Sequence, residues 1–204
     1  MTRLEFLLAR TLRREGALAE MGLPLVQVLE QLKGRVALIG NARSLAERAY
    51  GAEIDGTDLV VRINRAPMPQ STSHGTRTDV LALAVAIGAD ALAALDPALT
   101  LWMSHKRKRL PWHVARRKGF ALPPVEAFDR IRAQLGAPPT TGLLMIDLLA
   151  QSTAAQVTLY GFDFFASQSL TGKRTAAQVP HDFRGERGYV QALLGRDARF
   201  TLRS

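Results

Sequence analysis

Residues 35–44 read RVALIGNARS, and this stretch decides the fold class that the sequence predicts. Its apolar run is short and closes at Gly40, which suits a strand buried on both faces of a sheet. Residues 44–47 (SLAE) have the spacing of a capping box, so they predict a helix that begins almost at once. A strand followed directly by a helix is the unit of a sheet covered by helices.

The same alternation continues on both sides of this stretch. Further strands are predicted at 57–63, 79–83, 100–104 and 156–161, with an edge strand at 199–202. Helices are predicted between Pro24 and Gly34 and over 84–95, 125–135, 143–151 and 185–194. The predicted fold class is therefore α/β, a mostly parallel, Rossmann-like sheet flanked by helices. We expect a helical segment at 1–34 and one larger domain at 35–204.

The composition excludes several kinds of functional site. The chain has 204 residues, 47% of them hydrophobic, and no cysteine. Disulfide scaffolds, zinc–thiolate sites, thiol nucleophiles and iron–sulfur clusters are thereby excluded. Neither an HExxH nor an Asp-x-Asp motif occurs, so no metal and no cofactor are predicted.

The N-terminal segment lacks the long apolar run of a transmembrane helix or a signal peptide. It predicts an amphipathic helix with Leu4, Leu8 and Leu12 on one face. We expect this face to dock onto the domain; the alternative is that it lies on a membrane surface.

The charge is unevenly distributed. Lys and Arg total 27 against 18 Asp and Glu, a net charge of +9. Residues 103–118 contain no acid and seven bases, which are Lys106, Arg107, Lys108, Arg109, Arg116, Arg117 and Lys118. Such a segment attracts phosphates of nucleic acid, anionic lipid or a phosphorylated saccharide, or it is simply a solvated face. Nucleic acid is disfavoured because Trp112 is the segment's one aromatic residue and no RNA-binding motif is present.

In a parallel sheet, ligands bind at the carboxyl ends of the strands. The turn at Gly40-Asn41 is one such end, where a glycine lets backbone approach a ligand. It matches neither the dinucleotide fingerprint nor the Walker loop. An ordinary strand-to-helix turn would give the same pattern.

A second candidate is the stretch 138–150, PPTTGLLMIDLLA. Thr140 or Thr141 is placed to cap the following helix, and Gly142 leaves its N-terminus uncovered. Hydroxyls beside free backbone N–H groups suit a monophosphate, although an ordinary N-cap has the same sequence.

A third candidate is His181, which follows Pro180, precedes a helix and has Glu186 five positions further on. A neutral imidazole near a carboxylate is suited to act as a general base. A histidine in a solvent-facing loop is the alternative.

Taken together, these segments resemble a known family. Gly40-Asn41, residues 50–55 (YGAEID), 58–67 (DLVVRINRAP) and 75–79 (GTRTD) resemble the large sialylmotif of glycosyltransferase family 29, the sialyltransferases. Residues 140–142 (TTG) with 159–162 (LYGF) resemble the small motif, and His181 with Glu186 the very small motif. The three occur in the family's order.

The resemblance implies a variant of the GT-A fold, a CMP-activated acidic sugar as donor, and metal-independent transfer with inversion. It implies that Asn41 and Asn64 contact the CMP phosphate and ribose, and that His181 is the catalytic base, with Glu186 beside it in the motif. It further implies a nucleotide site formed by Thr140, Thr141, Gly142, Gly161 and Phe162.

The sequence departs from the family pattern in three respects. Val36 and Ala154 stand at what resemble the positions of the family's disulfide, so the bond cannot form and we expect a bacterial, cytoplasmic protein. The N-terminal anchor and stem that the family pattern implies are not found. The His-Tyr-Tyr type motif is missing, since 163–180 contains no histidine, and Lys173 or Arg174 is the expected replacement for its phosphate contact.

The predicted function is transfer of sialic acid, or a related ulosonic acid such as Kdo, to a hydroxyl of a glycan or glycolipid. We expect Lys106–Arg109 to face an anionic acceptor or the inner membrane surface. The alternative is a non-catalytic domain that binds nucleotides or nucleic acid through the basic segment 106–118.

Overall fold

The computed structural model describes residues 1–164 and 180–203, and it confirms the α/β class. In these residues one seven-stranded sheet has the order β5-β4-β3-β2-β1-β6-β7, with every neighbouring pair parallel. The strands are β1 Gly34–Ile39, β2 Leu59–Ile63, β3 Val80–Leu83, β4 Leu99–Trp102, β5 Phe120–Ala121, β6 Ala154–Tyr160 and β7 Phe200–Arg203.

Helices cover both faces of the sheet. They are α1 Arg3–Thr11, α2 Glu15–Ala19, α3 Leu25–Gln31, α4 Gly51–Asp55, α5 Ser71–His74, α6 Ala89–Leu95, α7 Trp112–Ala115, α8 Val125–Leu135, α9 Thr141–Ala150 and α10 Phe183–Arg196. Two short 3-10 helices span Arg43–Glu47 and Arg107–Arg109. None of the helices in the described residues is long and apolar enough to cross a membrane.

Alternate residues of a strand pack on opposite faces of the sheet. In β3, Val80 and Ala82 pack with residues of α3, α8, α9 and α10, whereas Leu81 and Leu83 pack with residues of α1, α2, α6 and α7. The inner strand β1, between β2 and β6, is covered on both faces, and Val36–Ile39 are at most 3% exposed. The apolar run that opened the sequence prediction is thus a fully buried inner strand of the sheet.

The capping box predicted at residues 44–47 is wrong. Arg43–Glu47 is a 3-10 helix preceded by Ala42, which makes no side-chain cap. The Ser44 hydroxyl instead donates to Asp163 Oδ2 at 3.3 Å, so a partner far along the chain has replaced the local one. The α-helix that follows β1 starts only at Gly51.

The docking face predicted for the N-terminal helix is also wrong. Phe6 and Ala9 are buried, whereas Leu4, Leu8 and Leu12 are 67%, 52% and 58% exposed. The helix turns this way because the Phe6 ring packs against Trp112, with 5.2 Å between centroids. The boundary at residue 34 remains a prediction.

The other predicted elements are found with shifted ends. The helix at Val125–Leu135 has the predicted bounds and ends at Gly136, whose φ of 71° is left-handed. The helix predicted at 84–95 starts at Ala89, and β5 was not predicted. His74 is fully buried in α5.

Candidate functional site

The carboxyl ends of β1 and β6 meet in a tight backbone contact. Gly40 N donates to Tyr160 O at 2.7 Å, and Ala42 N donates to Gly161 O at 3.2 Å. A Cβ on Gly40 would collide with the Gly161 carbonyl oxygen, and Gly161 itself has a φ of 68°. Both glycines are therefore required by the backbone geometry, which brings residues 40–41 next to residues 161–162.

Asn64 joins three elements at this edge of the sheet. It follows β2 in the left-handed conformation, with a φ of 54°. Its Oδ1 accepts from Ala84 N at 2.9 Å, just beyond β3, and its Nδ2 donates to Thr141 Oγ1 at 3.3 Å, at the start of α9. The structure thus brings together Asn64 of the large motif and Thr141 of the small motif, and the Asn64 side chain already has two partners.

The N-terminus of α9 faces the same edge. Thr140 is the N-cap, and its Oγ1 accepts from Leu143 N at 3.1 Å, as predicted for one of the two threonines. In the described part of the chain, the N–H groups of Thr141 and Gly142 have no hydrogen-bond acceptor. A Cβ on Gly142 would lie 2.8 Å from Cε1 of Phe162, so this glycine lets the Phe162 ring pack against the helix start. Free N–H groups and the helix dipole make this end of α9 suited to an anion.

Glu186 is buried, 4% exposed, and holds Thr140 in place. Its Oε1 accepts from Thr140 N at 2.7 Å and its Oε2 accepts from Thr140 Oγ1 at 2.8 Å. Burial raises the pKa of Glu186 to about 7, outweighing the two hydrogen bonds from Thr140 that lower it. Glu186 therefore ties α10 to the start of α9, and its carboxylate bonds Thr140 rather than the His181 ring.

His181 is half-buried and has one ring nitrogen fixed. Its Nδ1 lies 2.7 Å from Pro138 O, two residues before the N-cap of α9. Because a carbonyl oxygen only accepts, the proton of the neutral ring is assigned to Nδ1, and Nε2 carries the lone pair. This is the tautomer that a general base acting through Nε2 requires.

Asn41 differs from these residues. It is half-buried, directly follows the β1 end, and its side chain has no hydrogen-bond partner among residues 1–164 and 180–203. Its amide is available to a ligand at the β1–β6 junction.

The sequence interpretation gave no separate roles to the 75–79 loop (GTRTD) or to Pro138. The Asp55 carboxylate accepts from the backbone N–H groups of Thr76 and Arg77. Arg62, 1% exposed, donates to the carbonyls of His74 and Arg77 at 2.7 Å, and burial lowers its pKa to about 10. These motif residues fix the loop that precedes β3, so their function is structural. The resemblance to the large motif was the signal that marked them.

The basic segment 106–118 is only partly available to a ligand. Arg107 is 5% exposed, pairs with Glu15 and donates to three backbone carbonyls. Arg117 bonds Asp96 and Pro97 O. The exposed bases are Lys106, Lys108, Arg109, Arg116 and Lys118.

Three further predictions concern metals, the lost disulfide and a phosphate contact. Among the described residues, no group of three or more His, Asp or Glu side chains could hold a metal ion. Val36 pairs with Val157 and Ala154 with Gly34, so Val36 and Ala154 lie on neighbouring strands but not opposite each other. Lys173 and Arg174 lie outside the described residues.

Comparison with known proteins confirms the predicted family resemblance. Residues 25–96 match the model of glycosyltransferase family 29 (sialyltransferase). No curated protein matches the sequence.

Solved sialyltransferases share the fold. A mammalian sialyltransferase in complex with Gal-beta-1-3GalNAc-ortho-nitrophenol is 18% identical, with a TM-score of 0.57 over 84% of this chain and 69% of that chain. CstII from Campylobacter jejuni in complex with cytidine-5'-monophosphate is 14% identical, with a TM-score of 0.56 over 82% of this chain and 78% of that chain. CstII with CMP-3FNeuAc is 12% identical, with a TM-score of 0.58 over 82% and 81% of the two chains.

Proposed function

We propose that this chain is a glycosyltransferase of family 29 that transfers sialic acid, or a related ulosonic acid such as Kdo, from its CMP derivative to a glycan hydroxyl. The observation that carries the proposal is the 2.7 Å contact between His181 Nδ1 and Pro138 O. It leaves Nε2 as an acceptor beside the helix end best suited to a phosphate.

The start of α9 supports the donor half of the proposal. The free N–H groups of Thr141 and Gly142 would receive the CMP phosphate, and the Asn41 amide would add a hydrogen bond from the β1 side. Gly161 and Phe162 would line the base or the ribose. Asn64, which the sequence interpretation placed on the phosphate or ribose, would act chiefly through Thr141, since both ends of its amide are engaged.

The chemical step then needs one base and one stabilised leaving group. His181 Nε2 takes the proton of the acceptor hydroxyl as its oxygen bonds to the anomeric carbon. The bond from that carbon to the phosphate oxygen breaks, and CMP leaves from the opposite face with inversion. Fixed backbone dipoles stabilise the charge on the leaving phosphate without a metal ion.

The acceptor side is proposed from charge alone. A glycan or glycolipid with anionic groups would meet the exposed Lys106, Lys108 and Arg109, but not Arg107, which is bonded inside the protein. A cytoplasmic enzyme at the inner membrane surface is the setting that we propose for such an acceptor.

A calorimetric donor screen tests the nucleotide class. We expect CMP, CMP-sialic acid or CMP-Kdo to bind with EDTA present, and UDP- and GDP-sugars to bind far more weakly. A strict Mg²⁺ requirement, or equal affinity for all nucleotides, would contradict the proposal. Salt-dependent binding of random oligonucleotides without CMP binding would instead favour the nucleic-acid alternative.

A further inference from the structure

We propose that the leucine ridge of α1, formed by Leu4, Leu8 and Leu12, inserts into the surface of an anionic membrane and holds the protein against it. This surface lies outside the candidate active site, and the proposal does not depend on which donor is used.

The ridge is a concentrated apolar surface. Its leucines recur every four residues and are 67%, 52% and 58% exposed, with Met1 next to them at 51%. These four are the majority of the large hydrophobic side chains that are exposed in the described residues; the other two are Val26 and Val85. Scattered single hydrophobics are ordinary on a protein surface, but a continuous ridge marks an interaction site.

The rest of the protein holds the ridge outward. Thr2 and Glu5 form a capping box at the start of α1, and on the opposite side Phe6 is fully buried against Trp112. Arg10 donates to Leu110 O at 3.0 Å. Because the helix is docked through its other face, the leucines cannot be buried by a small rotation without losing these contacts.

The charges around the ridge fit anionic lipid. Arg3, Arg13 and Arg14 are exposed on α1 or just after it, and the contact of Arg10 with Leu110 places the exposed Lys108 and Arg109 close by. Two carboxylates of the same segment have partners, Glu5 in the capping box and Glu15 with Arg107, and Glu20 is the third carboxylate there. An apolar ridge flanked by bases is the pattern of a helix that lies in a lipid interface. A second copy of the chain is a poorer partner, because each copy carries a net charge of +9.

A site-specific fluorophore gives the direct test. The chain has no cysteine, so Leu8→Cys allows a single environment-sensitive NBD label. We expect a blue shift and a marked rise in emission on adding vesicles of phosphatidylglycerol and phosphatidylcholine. The matched control is Val26→Cys, which carries the label at a 60% exposed position on α3 and should not respond. An equal response at both positions, or none at Leu8, would overturn the proposal.

Vesicle co-sedimentation separates the apolar and ionic contributions. We expect Leu4→Ser with Leu8→Ser to weaken binding about tenfold or more, whereas Val26→Ser has no effect. Lys108→Glu with Arg109→Glu should weaken binding to anionic vesicles, unlike Lys33→Glu, an exposed base directly before the amino end of β1. Unchanged vesicle binding by the leucine variant would overturn the proposal, because binding would then depend on the basic residues alone. A wild-type dimer in analytical ultracentrifugation that the leucine variant abolishes, without any vesicle binding, would assign the ridge to a second copy instead.

Discussion

Two parts of the same sheet edge use their polar side chains in opposite ways. At the start of α9, Thr140 N and Oγ1 both donate to the Glu186 carboxylate, and Oγ1 also accepts from Leu143 N. These groups of Thr140 therefore stabilise the fold. At the end of β1, the Asn41 amide has no partner among the described residues. Both residues lie in segments that resemble motifs of glycosyltransferase family 29. The comparison teaches that motif residues divide into those that build the edge and those left free to bind, and that spacing alone does not separate them.

Removing the proposed base is expected to have the largest effect. His181→Ala should lower kcat by about 10²–10⁴-fold, because a positioned general base contributes about that much. CMP affinity should stay within about twofold, since the anion-binding N–H groups belong to α9. Steady-state kinetics and calorimetry on the same preparation measure the two quantities.

His113→Ala is the matched control for this variant. The His113 Nε2 also lies against a carbonyl, Ile87 O at 2.9 Å, but far from the start of α9 in the sequence. The turnover of His113→Ala should be near that of the wild type. Near wild-type turnover in His181→Ala would mean that another group is the base.

The pH dependence of stability tests the contacts of Glu186 with Thr140 at the start of α9. The pKa of Glu186 in the folded protein, about 7, lies above the ordinary glutamate value of 4.5, so the folded state holds the proton more tightly than the unfolded state. The contribution of this group to the free energy of unfolding is therefore full below about pH 4.5 and falls as pH rises through about 7. Glu186→Gln cannot titrate and should lack this dependence.

Urea denaturation at pH 5, 6, 7 and 8 measures that difference. Between pH 5 and 8, the free energy of unfolding of the wild type should fall by about 2–3 kcal/mol relative to Glu186→Gln. The exposed Glu126 in the first turn of α8 supplies the control, and Glu126→Gln should run parallel to the wild type. A parallel course for Glu186→Gln would show that the carboxyl titrates normally.

The sequence predicted the sheet well because burial on both faces leaves a strong local signal. The runs that became β1, β2 and β3 are apolar and short, and their ends bring Gly40-Asn41 and Asn64 to one edge. Tertiary partners decided the rest. Ser44 bonds Asp163 instead of capping, Phe6 finds Trp112 and turns α1 around, and the tautomer of His181 depends on a carbonyl 43 residues away. No local pattern contains that information.

Two asparagines offer the next test, since within residues 1–164 and 180–203 the Asn64 side chain has hydrogen-bond partners and the Asn41 side chain has none. Asn41→Ala should weaken CMP binding about tenfold and leave the melting temperature unchanged, because only a hydrogen bond to a charged ligand is lost. Asn64→Ala should also lower the free energy of unfolding by about 1–2 kcal/mol, since Ala84 N and Thr141 Oγ1 lose their partner. Calorimetry and thermal melting of both variants decide this. A destabilised Asn41→Ala would mean that its amide serves the fold.

The smallest expected effect concerns the bond that links the large and small motifs. Thr141→Val keeps the shape of an 8% exposed side chain but removes the hydroxyl that accepts from Asn64 Nδ2 at 3.3 Å. A loss of about 0.5–1 kcal/mol in the free energy of unfolding is expected. In a double-mutant cycle with Asn64→Ala, a coupling of about 0.5 kcal/mol should appear, because both single changes remove the same bond.

Thr100→Val is the matched control, since the buried Thr100 hydroxyl has no partner within the described residues. This variant should be as stable as the wild type or slightly more stable. Additive losses at Asn64 and Thr141 would show that the bond does not connect the two motifs energetically.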